Sequence, residues 1–206
     1  MSDYLFRESK GADAQAPVFF VFHGTGGDEN QFFDLAGKLL AGAHVIAPRG
    51  DVSEAGALRY FRRTGEGVYD MDDLALRTSN MAEFARERLE GVSPSAVIGL
   101  GYSNGANILA SVLFEHPEIF DAAVLMHPLI PFAPPPRPEL VGKRLLITAG
   151  RRDPIGPAAA TQDLADYFSG QGAAVDLFWH DGGHELRQEE FLKTAEFLKP
   201  YRVATA

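Results

Sequence analysis

The chain has 206 residues, enough for one medium-sized domain whose core needs neither disulfides nor a structural metal. Hydrophobic residues make up 46% and charged residues 23%, which excludes a wholly disordered, collagen-like or coiled-coil chain. The net charge of −9 disfavours binding to nucleic acid or to an anionic membrane surface. Cysteine is absent, which excludes disulfides, thiolate nucleophiles and zinc–cysteine sites.

Residues 1–16 form a polar N-terminal segment that lacks the basic start and apolar run of a signal peptide, and an edge strand is one interpretation of it. No apolar run in the sequence is long enough to span a membrane. We therefore expect a single cytoplasmic domain over residues 1–206, with no membrane span.

Short apolar runs recur along the chain, at residues 18–22, 45–47, 96–100, 122–126, 145–149 and 175–179. They are continuous rather than alternating, which is typical of parallel strands covered on both faces. Segments with helical spacing lie between them. Asp28 and Gln31 resemble a capping box that opens a helix toward Leu40, and Pro157 suits the first turn of another helix. This alternation predicts an α/β fold with a mainly parallel sheet and helices on both faces.

Two stretches interrupt the alternation, and both follow the carboxyl end of a predicted strand. Residues 49–70 are glycine-rich and irregular, and residues 127–143 contain six prolines. Proline at that density disfavours a long helix, so we expect a loop there with at most a short helical turn. Ligands bind at the carboxyl ends of the strands in open parallel sheets, so these loops and their neighbours are the places to look for a site.

The segment from Gly101 to Gly105 matches the pattern G-x-S-x-G, directly after a predicted strand and before a predicted helix. In that context the pattern indicates a tight turn that exposes Ser103 in a strained backbone conformation, with glycines where side chains would clash. The alternative is a serine at the start of a helix in a glycine-rich turn. We interpret Ser103 as a nucleophile.

A serine nucleophile needs a base, and the base needs a group that orients it. Asp153 and His184 each follow a later strand and stand in the order Ser, Asp, His that α/β-hydrolases use. An ion pair with a neighbouring arginine is the alternative for Asp153, and His180 is interpreted as structural.

The loop from His23 to Gly27 is glycine-rich and follows the first predicted strand. The Thr25 and Asn104 N–H groups are the expected oxyanion donors, because one lies in this loop and the other follows the nucleophile. His23 is expected to brace the loop through hydrogen bonds, with a place in the pocket as the alternative.

The motifs HGTGGDE, APRG, RYFRR, GYSNGANI, MHPLIP, AGRRDP and GGHEL together resemble the phospholipase/carboxylesterase family of the α/β-hydrolases, most of all its small serine hydrolases associated with hydroquinone stress. The resemblance covers residues 18–201. It implies an α/β-hydrolase fold, the triad Ser103, Asp153 and His184, oxyanion donors Thr25 and Asn104, and no cofactor or metal. It also leaves a homodimer open.

Many α/β-hydrolases insert a helical cap before the strand that carries the acid, but residues 127–143 are too short and too rich in proline for one. We therefore expect an open site without a cap domain. The candidate pocket residues come from the loops around the sheet edge: His23, Tyr60, Phe61, Tyr102, His127, Leu129, Phe132 and Ile155.

Arg59, Arg62 and Arg63 form a basic cluster in an acidic chain. Pairing with Glu66, Asp70, Asp72 and Asp73 is one interpretation, and recognition of an anionic or phenolic substrate is the other.

The expected function is hydrolysis of small or short-chain carboxylic esters, with a small-molecule ester as the partner. Thioesterase or lysophospholipase-like activity on the same triad is an alternative. A non-catalytic ligand-binding protein on the same scaffold is an alternative of another class. Dienelactone hydrolases share the architecture, but their common use of a cysteine nucleophile argues against them here.

Overall fold

A computed structural model describes residues 4–203 of the chain. The strands are β1 Phe6–Ser9, β2 Val18–Phe22, β3 His44–Pro48, β4 Val52–Glu54, β5 Ala57–Arg59, β6 Arg63–Gly65, β7 Val68–Tyr69, β8 Val97–Tyr102, β9 Ala122–Met126, β10 Arg144–Gly150 and β11 Ala174–His180. The α-helices are α1 Phe33–Leu39, α2 Met71–Leu89, α3 Asn104–Glu115, α4 Ala158–Gly170 and α5 Gln188–Phe197. Short 3-10 turns cover Pro138–Leu140 and Lys199–Tyr201.

The central sheet has seven strands in the order β1-β3-β2-β8-β9-β10-β11. All pairs are parallel except β1 with β3, where β1 runs antiparallel along the edge with Phe6 opposite Pro48. The β1 strand therefore falls within the polar N-terminal segment. Since β2, β8, β9, β10 and β11 are parallel, the loops that follow them open at the same edge of the sheet.

The core consists of two apolar layers, one on each face of the sheet, because successive strand side chains point to opposite faces. Phe20 packs on the side of α2, α3 and α4, and Phe19 packs on the side of α1 and α5. The β2 strand is buried along its whole length, as its continuous apolar run predicts. The α/β-hydrolase fold class predicted from the sequence is confirmed, with helices on both faces.

Two local predictions are wrong. Residues 49–70 are not irregular, since they form two small antiparallel hairpins, β4–β5 and β6–β7. The first helix begins at Phe33 and not at Asp28. The Asp28 carboxylate instead accepts from the Asn30 N–H, and the Gln31 side chain accepts from the Gly24 N–H, so neither residue caps the helix.

Residues 127–143 form an extended connection whose one helical turn is Pro138–Leu140. No cap is inserted between β9 and β10, in agreement with the proline-rich sequence. Among residues 4–203, no helix is both long and apolar enough to cross a membrane.

Candidate active site

Ser103 lies on the turn between β8 and α3 with φ 52° and ψ −116°, a conformation that non-glycine residues rarely adopt. The turn is possible because glycines flank it. A Cβ at Gly101 would overlap the Gly105 carbonyl group, and a Cβ at Gly105 would overlap the carbonyl groups of Phe22 and His23. The local sequence thus holds the Ser103 hydroxyl up at the carboxyl edge of the sheet.

The structure brings Ser103, His184 and Asp153 into one hydrogen-bonded line. His184 Nε2 lies 2.8 Å from Ser103 Oγ, and His184 Nδ1 lies 2.7 Å from Asp153 Oδ2. A carboxylate can only accept, so the ring proton of neutral His184 is on Nδ1, which leaves Nε2 free to accept from the Ser103 hydroxyl. This is the geometry of an activated serine nucleophile.

Asp153 follows β10, and its side chain is fully buried. Burial raises the pKa of its carboxyl, but hydrogen bonds from the Gly156 N–H, His127, His184 and the Ile155 N–H outweigh burial and lower the pKa below its usual value. The carboxylate is therefore kept ionised. It makes no ion pair with the adjacent arginines, since Arg151 and Arg152 both turn toward Asp181.

His184 is carried by the loop after β11, and Tyr102 helps to fix that loop. The Tyr102 hydroxyl donates to the His184 carbonyl oxygen at 2.7 Å, and the two rings lie 5.5 Å apart. A Cβ at Gly150 would overlap the carbonyl oxygen of Gly183, so the backbones after β10 and before His184 are in direct contact. Glycine at position 150 is required by this close approach.

Thr25 and Asn104, whose N–H groups are the expected oxyanion donors, line the same cleft as Ser103. Asn104 is the first residue of α3, so its N–H has no acceptor within the helix. Its side-chain Oδ1 accepts from the Tyr60 N–H at 2.7 Å. The loop that carries Thr25 is held by the Gly26 N–H, which donates to the Leu58 carbonyl oxygen at 2.9 Å.

A cleft of about 290 Å³ opens over Ser103. Its walls come from the loops that follow the strands and from the β5, β6 and β7 hairpin segments: Thr25, Arg59, Arg63, Glu66, Gly67, Tyr69, Tyr102, Ser103, Asn104, Asn107, His127, Leu129, Ile155 and His184. Of the predicted pocket residues, Tyr102, His127, Leu129 and Ile155 therefore line it.

The other predicted pocket residues do not line the cleft. Tyr60 and Phe61 are fully buried, because the β5 strand turns them down into the core on the α2 side of the sheet. Phe132 lines a separate cavity of about 510 Å³ against α4, because the proline-rich connection carries it away from Ser103. These three side chains lie outside the cleft over Ser103.

His23 is also absent from the cleft wall, and its ring holds the loop that follows β2 through hydrogen bonds. Its Nε2 accepts from the Gly50 N–H at 2.9 Å, and its Nδ1 lies 2.7 Å from the Gly24 carbonyl oxygen. Burial lowers the pKa of His23, consistent with a neutral ring that accepts at Nε2. Its backbone N–H donates to the Tyr60 hydroxyl, which itself donates to the Pro48 carbonyl oxygen.

The arginine cluster divides between two environments. The Arg62 N–H donates to Asp73, and its mostly exposed side chain reaches the same carboxylate at 3.9 Å. Arg63 binds both oxygens of Glu54 at 3.0 Å, and Arg59 lies 3.4 Å from that carboxylate. The partner of these two arginines is thus Glu54, which is absent from the acidic residues predicted to pair with the cluster.

Sequence reasoning missed three residues around the site. Asn107 lies one helical turn after Ser103, and that spacing could have indicated a shared face. It donates to the Tyr69 hydroxyl and accepts from the Leu129 N–H, each at 2.7 Å. Glu190 is fully buried beneath Asp153. Nothing in the spacing of Tyr69 or Glu190 points to the site.

Within the part of the chain that the structure describes, two groups of side chains are close enough to hold a metal ion: His127 with His180 and Glu190, and His127 with Asp153 and His184. Their nearest atoms are already joined by hydrogen bonds. His180 Nδ1 accepts from the Gly182 N–H, so the proton of neutral His180 is on Nε2, the atom that faces the first group. A ligating nitrogen needs a free lone pair, so His180 in this tautomer does not suit a metal in the first group.

Comparisons with known proteins agree with this arrangement. The sequence model of the dienelactone hydrolase family matches residues 3–190. The chain is 38% identical over 184 residues to the putative hydrolase MhqD of Bacillus subtilis strain 168, covering 88% of this chain and 92% of that protein.

Two crystal structures are similar over almost the whole chain. A protein of unknown function from Agrobacterium tumefaciens strain C58 is 54% identical, with TM-score 0.91 and coverage of 96% of this chain and 97% of that chain. The Bacillus cereus carboxylesterase is 35% identical, with TM-score 0.89 and coverage of 97% and 95%. The resemblance to carboxylesterase-type α/β-hydrolases is confirmed. The prediction that the missing cysteine argues against a dienelactone hydrolase is wrong, because the model of that family matches the chain. The absence of cysteine excludes only a thiol as the nucleophile.

Proposed function

The chain belongs to the dienelactone hydrolase family and is a carboxylesterase-type α/β-hydrolase, and from that premise we propose that it hydrolyses small carboxylic esters through an acyl-enzyme on Ser103. One observation carries the proposal. Ser103 Oγ, His184 Nε2, His184 Nδ1 and Asp153 Oδ2 lie in line at hydrogen-bond distances of 2.8 and 2.7 Å.

In the acylation step, Ser103 Oγ attacks the ester carbonyl carbon while its proton moves to His184 Nε2. His184 then carries a positive charge, which the ionised Asp153 stabilises through the Nδ1 hydrogen bond. The tetrahedral intermediate collapses when the C–O bond to the alcohol breaks, and the alcohol leaves with the proton from Nε2. Water repeats the sequence on the acyl-enzyme and releases the acid.

The negative oxygen of each intermediate is the group that needs most stabilisation, and the Thr25 and Asn104 N–H groups are the proposed donors. Removing one donor of this kind costs roughly 3 kcal/mol of transition-state stabilisation in comparable enzymes. The N-terminus of α3 adds a positive partial charge at Asn104. Because both donors are backbone groups, their placement depends on the loops that hold them.

The cleft favours small substrates. Its volume is about 290 Å³, and no cap encloses it. Leu129 and Ile155 contribute apolar side chains to the lining, whereas Arg59, Arg63 and Glu66 contribute charged ones. We therefore propose a short acyl group in contact with Leu129 and Ile155.

A labelling experiment separates the enzyme from a ligand-binding protein on the same fold. A fluorophosphonate should modify Ser103 and no other residue, detected by peptide mass spectrometry, and the Ser103→Ala variant should remain unlabelled. A well-folded protein without modification at Ser103 would exclude the serine hydrolase.

Substrate class then follows from rates on p-nitrophenyl esters of two to twelve acyl carbons, with matched thioesters and a lactone. We expect kcat/KM to be highest for two to four carbons and to fall as the acyl chain outgrows the cleft. A preference for the thioesters or for long acyl chains would replace the proposed substrate class with the thioesterase or lysophospholipase alternative.

A further inference from the structure

His127 occupies a position that the ester mechanism above does not use. It follows β9 with a positive φ of 51°, and its N–H donates to the Thr148 carbonyl oxygen at 2.7 Å. Its imidazole has no solvent exposure. Positive φ is unfavourable for a residue of this size, so the surrounding contacts must hold the ring in place.

The ring lies between two buried carboxylates. His127 Nδ1 is 3.0 Å from Asp153 Oδ2, and His127 Nε2 is 3.0 Å from Glu190 Oε1. The side chains of all three residues are fully buried. A carboxylate can only accept a hydrogen bond, so two ionised carboxylates require a proton on both ring nitrogens.

The other partners of the two acids are donors as well. Asp153 Oδ1 accepts from the Ile155 and Gly156 N–H groups at 2.8 and 3.0 Å. Glu190 accepts from the Thr148 hydroxyl at 2.6 Å and from the Arg187 N–H at 2.7 Å. These donors favour the ionised form of each acid.

The remaining neighbours of the ring offer no competing acceptor. His180 has its proton on Nε2, as its Gly182 contact requires, and that nitrogen lies 3.4 Å from both His127 Nε2 and Glu190 Oε2. The rings of His184 and Tyr102 face His127 at 5.2 and 5.8 Å between ring centroids. The arrangement therefore places one cation between two anions beneath the triad.

We propose that His127 is a positioning residue that stays positively charged, fixes the Asp153 carboxylate together with Glu190, and makes it easier for His184 to remain neutral. The proposal deepens the proposed function, since it concerns the acid and base of the same site. The His127 ring lies 5.2 Å from the His184 ring, so its positive charge acts on His184 against the negative charge of Asp153.

The charge balance supports this assignment. Burial lowers the pKa of His127, but the hydrogen bonds of Glu190 and Asp153 outweigh burial and raise the pKa above its usual value. Burial raises the pKa of Glu190, but hydrogen bonds from His127 and Thr148 lower it overall. A buried ion pair with only one partner charged would be strongly destabilising, which favours all three groups ionised together.

The first test reads the protonation of His127 directly in the full-length protein and needs no turnover. In ¹⁵N-labelled protein at pH 8, both ring nitrogens of His127 should show the chemical shifts of protonated imidazolium nitrogens. His23 serves as the internal control, and its ring should show one protonated and one unprotonated nitrogen. A neutral tautomer of His127 at pH 8 would overturn the proposal.

The second test reads the effect on His184. His127→Asn suits the positive φ and keeps an amide donor near Asp153, but it removes the charge. The acid limb of the pH profile, where kcat/KM falls as the pH is lowered, should then move to higher pH by at least half a pH unit. The reason is that the positive charge of His127 no longer lies near His184. Thr148→Val removes a neutral donor to Glu190 and should leave the acid limb in place.

An unmoved acid limb in a folded His127→Asn variant would contradict the proposal, and so would an equal shift in Thr148→Val. If His127→Asn does not fold, the NMR measurement on the unmodified protein decides alone. A protein with charged His127 but no fluorophosphonate labelling would overturn the ester hydrolase and leave the charge assignment standing.

Discussion

The Arg59 guanidinium donates from Nη1 to Thr25 Oγ1 at 2.9 Å, and from Nε to the Phe61 carbonyl oxygen at 3.2 Å. It thereby joins the β4–β5 hairpin to the loop that carries a proposed oxyanion donor. The neighbouring Gly26–Leu58 hydrogen bond makes a second connection between the same two segments. The hairpin acts as a support for the glycine-rich loop, which has few side chains of its own to hold it.

Arg59→Lys keeps the positive charge but removes the planar guanidinium, whose two nitrogens donate to Thr25 and to Phe61. A lost hydrogen bond from a charged group costs about 1.5–3 kcal/mol, so kcat/KM should fall by about 10- to 100-fold, mostly in kcat. Steady-state kinetics on a short-chain p-nitrophenyl ester measure the change.

Arg62→Lys is the matched control, because Arg62 lies three residues later in the sequence and its side chain is absent from the cleft lining. It should stay within twofold of the unmodified protein. If Arg59→Lys also stays within twofold, the hairpin does not support the loop in the way described here.

Replacing the proposed nucleophile, Ser103, separates an effect on the reaction from an effect on folding. Ser103→Ala should lower kcat by about a million-fold, as in other triads where the nucleophile was removed. Its melting temperature should stay within a few degrees of the unmodified protein, because the hydroxyl contacts only His184 in the structure described. Turnover within tenfold of the unmodified protein would exclude Ser103 as the nucleophile.

The turn around Ser103 should be intolerant of side chains. Gly105→Ala places a methyl group against the backbone carbonyl groups of Phe22 and His23, which cannot move without shifting β2. We expect a loss of about 3 kcal/mol or more in the free energy of unfolding, together with a loss of activity. Urea denaturation monitored by circular dichroism measures the first effect.

Gly37→Ala provides the comparison within a helix. No atom lies within 4 Å of the position of the new Cβ, so the variant should gain about 0.5–1 kcal/mol from helix propensity. A Gly105→Ala variant as stable as Gly37→Ala would contradict the crowding argument.

The charge on His127 should appear in the pH dependence of stability. A pKa raised in the folded state contributes stability that is complete below the unfolded value of about 6.5 and is lost as pH rises through the folded value. The free energy of unfolding should therefore fall above pH 6.5, by at most about 1.4 kcal/mol per pH unit for this group.

The double variant His127→Asn/Glu190→Gln removes both members of the buried pair and should lack this decline. The lowered pKa of the Glu190 and Asp153 carboxyls affects stability only below about pH 4, outside the window. Urea titrations at pH 6, 7, 8 and 9 compare the two proteins. A difference in the free energy of unfolding that stays constant across these pH values would show that folding does not raise the pKa of His127.

Much of this site could be predicted because its signals are local. The G-x-S-x-G pattern predicts a tight turn from five consecutive residues. The continuous apolar runs predict parallel strands, and Asp153 and His184 each follow one of them. The prediction that a helix begins at Asp28 also depended on a local pattern, the capping box, and it is wrong. In the fold Gln31 binds the Gly24 N–H and Asp28 binds the Asn30 N–H, so the helix begins later.

Other residues depend on packing between distant segments. Tyr60 and Phe61 are aromatic residues next to a glycine-rich loop, a description that fits a pocket wall and a core equally well. Only the β4–β5 hairpin decides that they point inward. Glu190 looks like an ordinary acidic residue in the first turn of α5, but it is buried in contact with His127, which follows β9, and with Thr148 of β10.

The contact between the backbones at Gly150 and Gly183 has a consequence for how this protein could change during evolution or in the laboratory. The acid-bearing and base-bearing loops share one close approach, so an insertion in either would separate Asp153 from His184. The turn of the β6–β7 hairpin has no such close approach among the described residues, since a Cβ at Gly67 would meet only the Leu129 side chain at 3.7 Å, and Glu66 and Gly67 line the cleft. Altered substrate range should therefore arise in the β6–β7 turn around Glu66 and Gly67, where the sequence can vary without disturbing the Arg59 contact that supports the Thr25 loop.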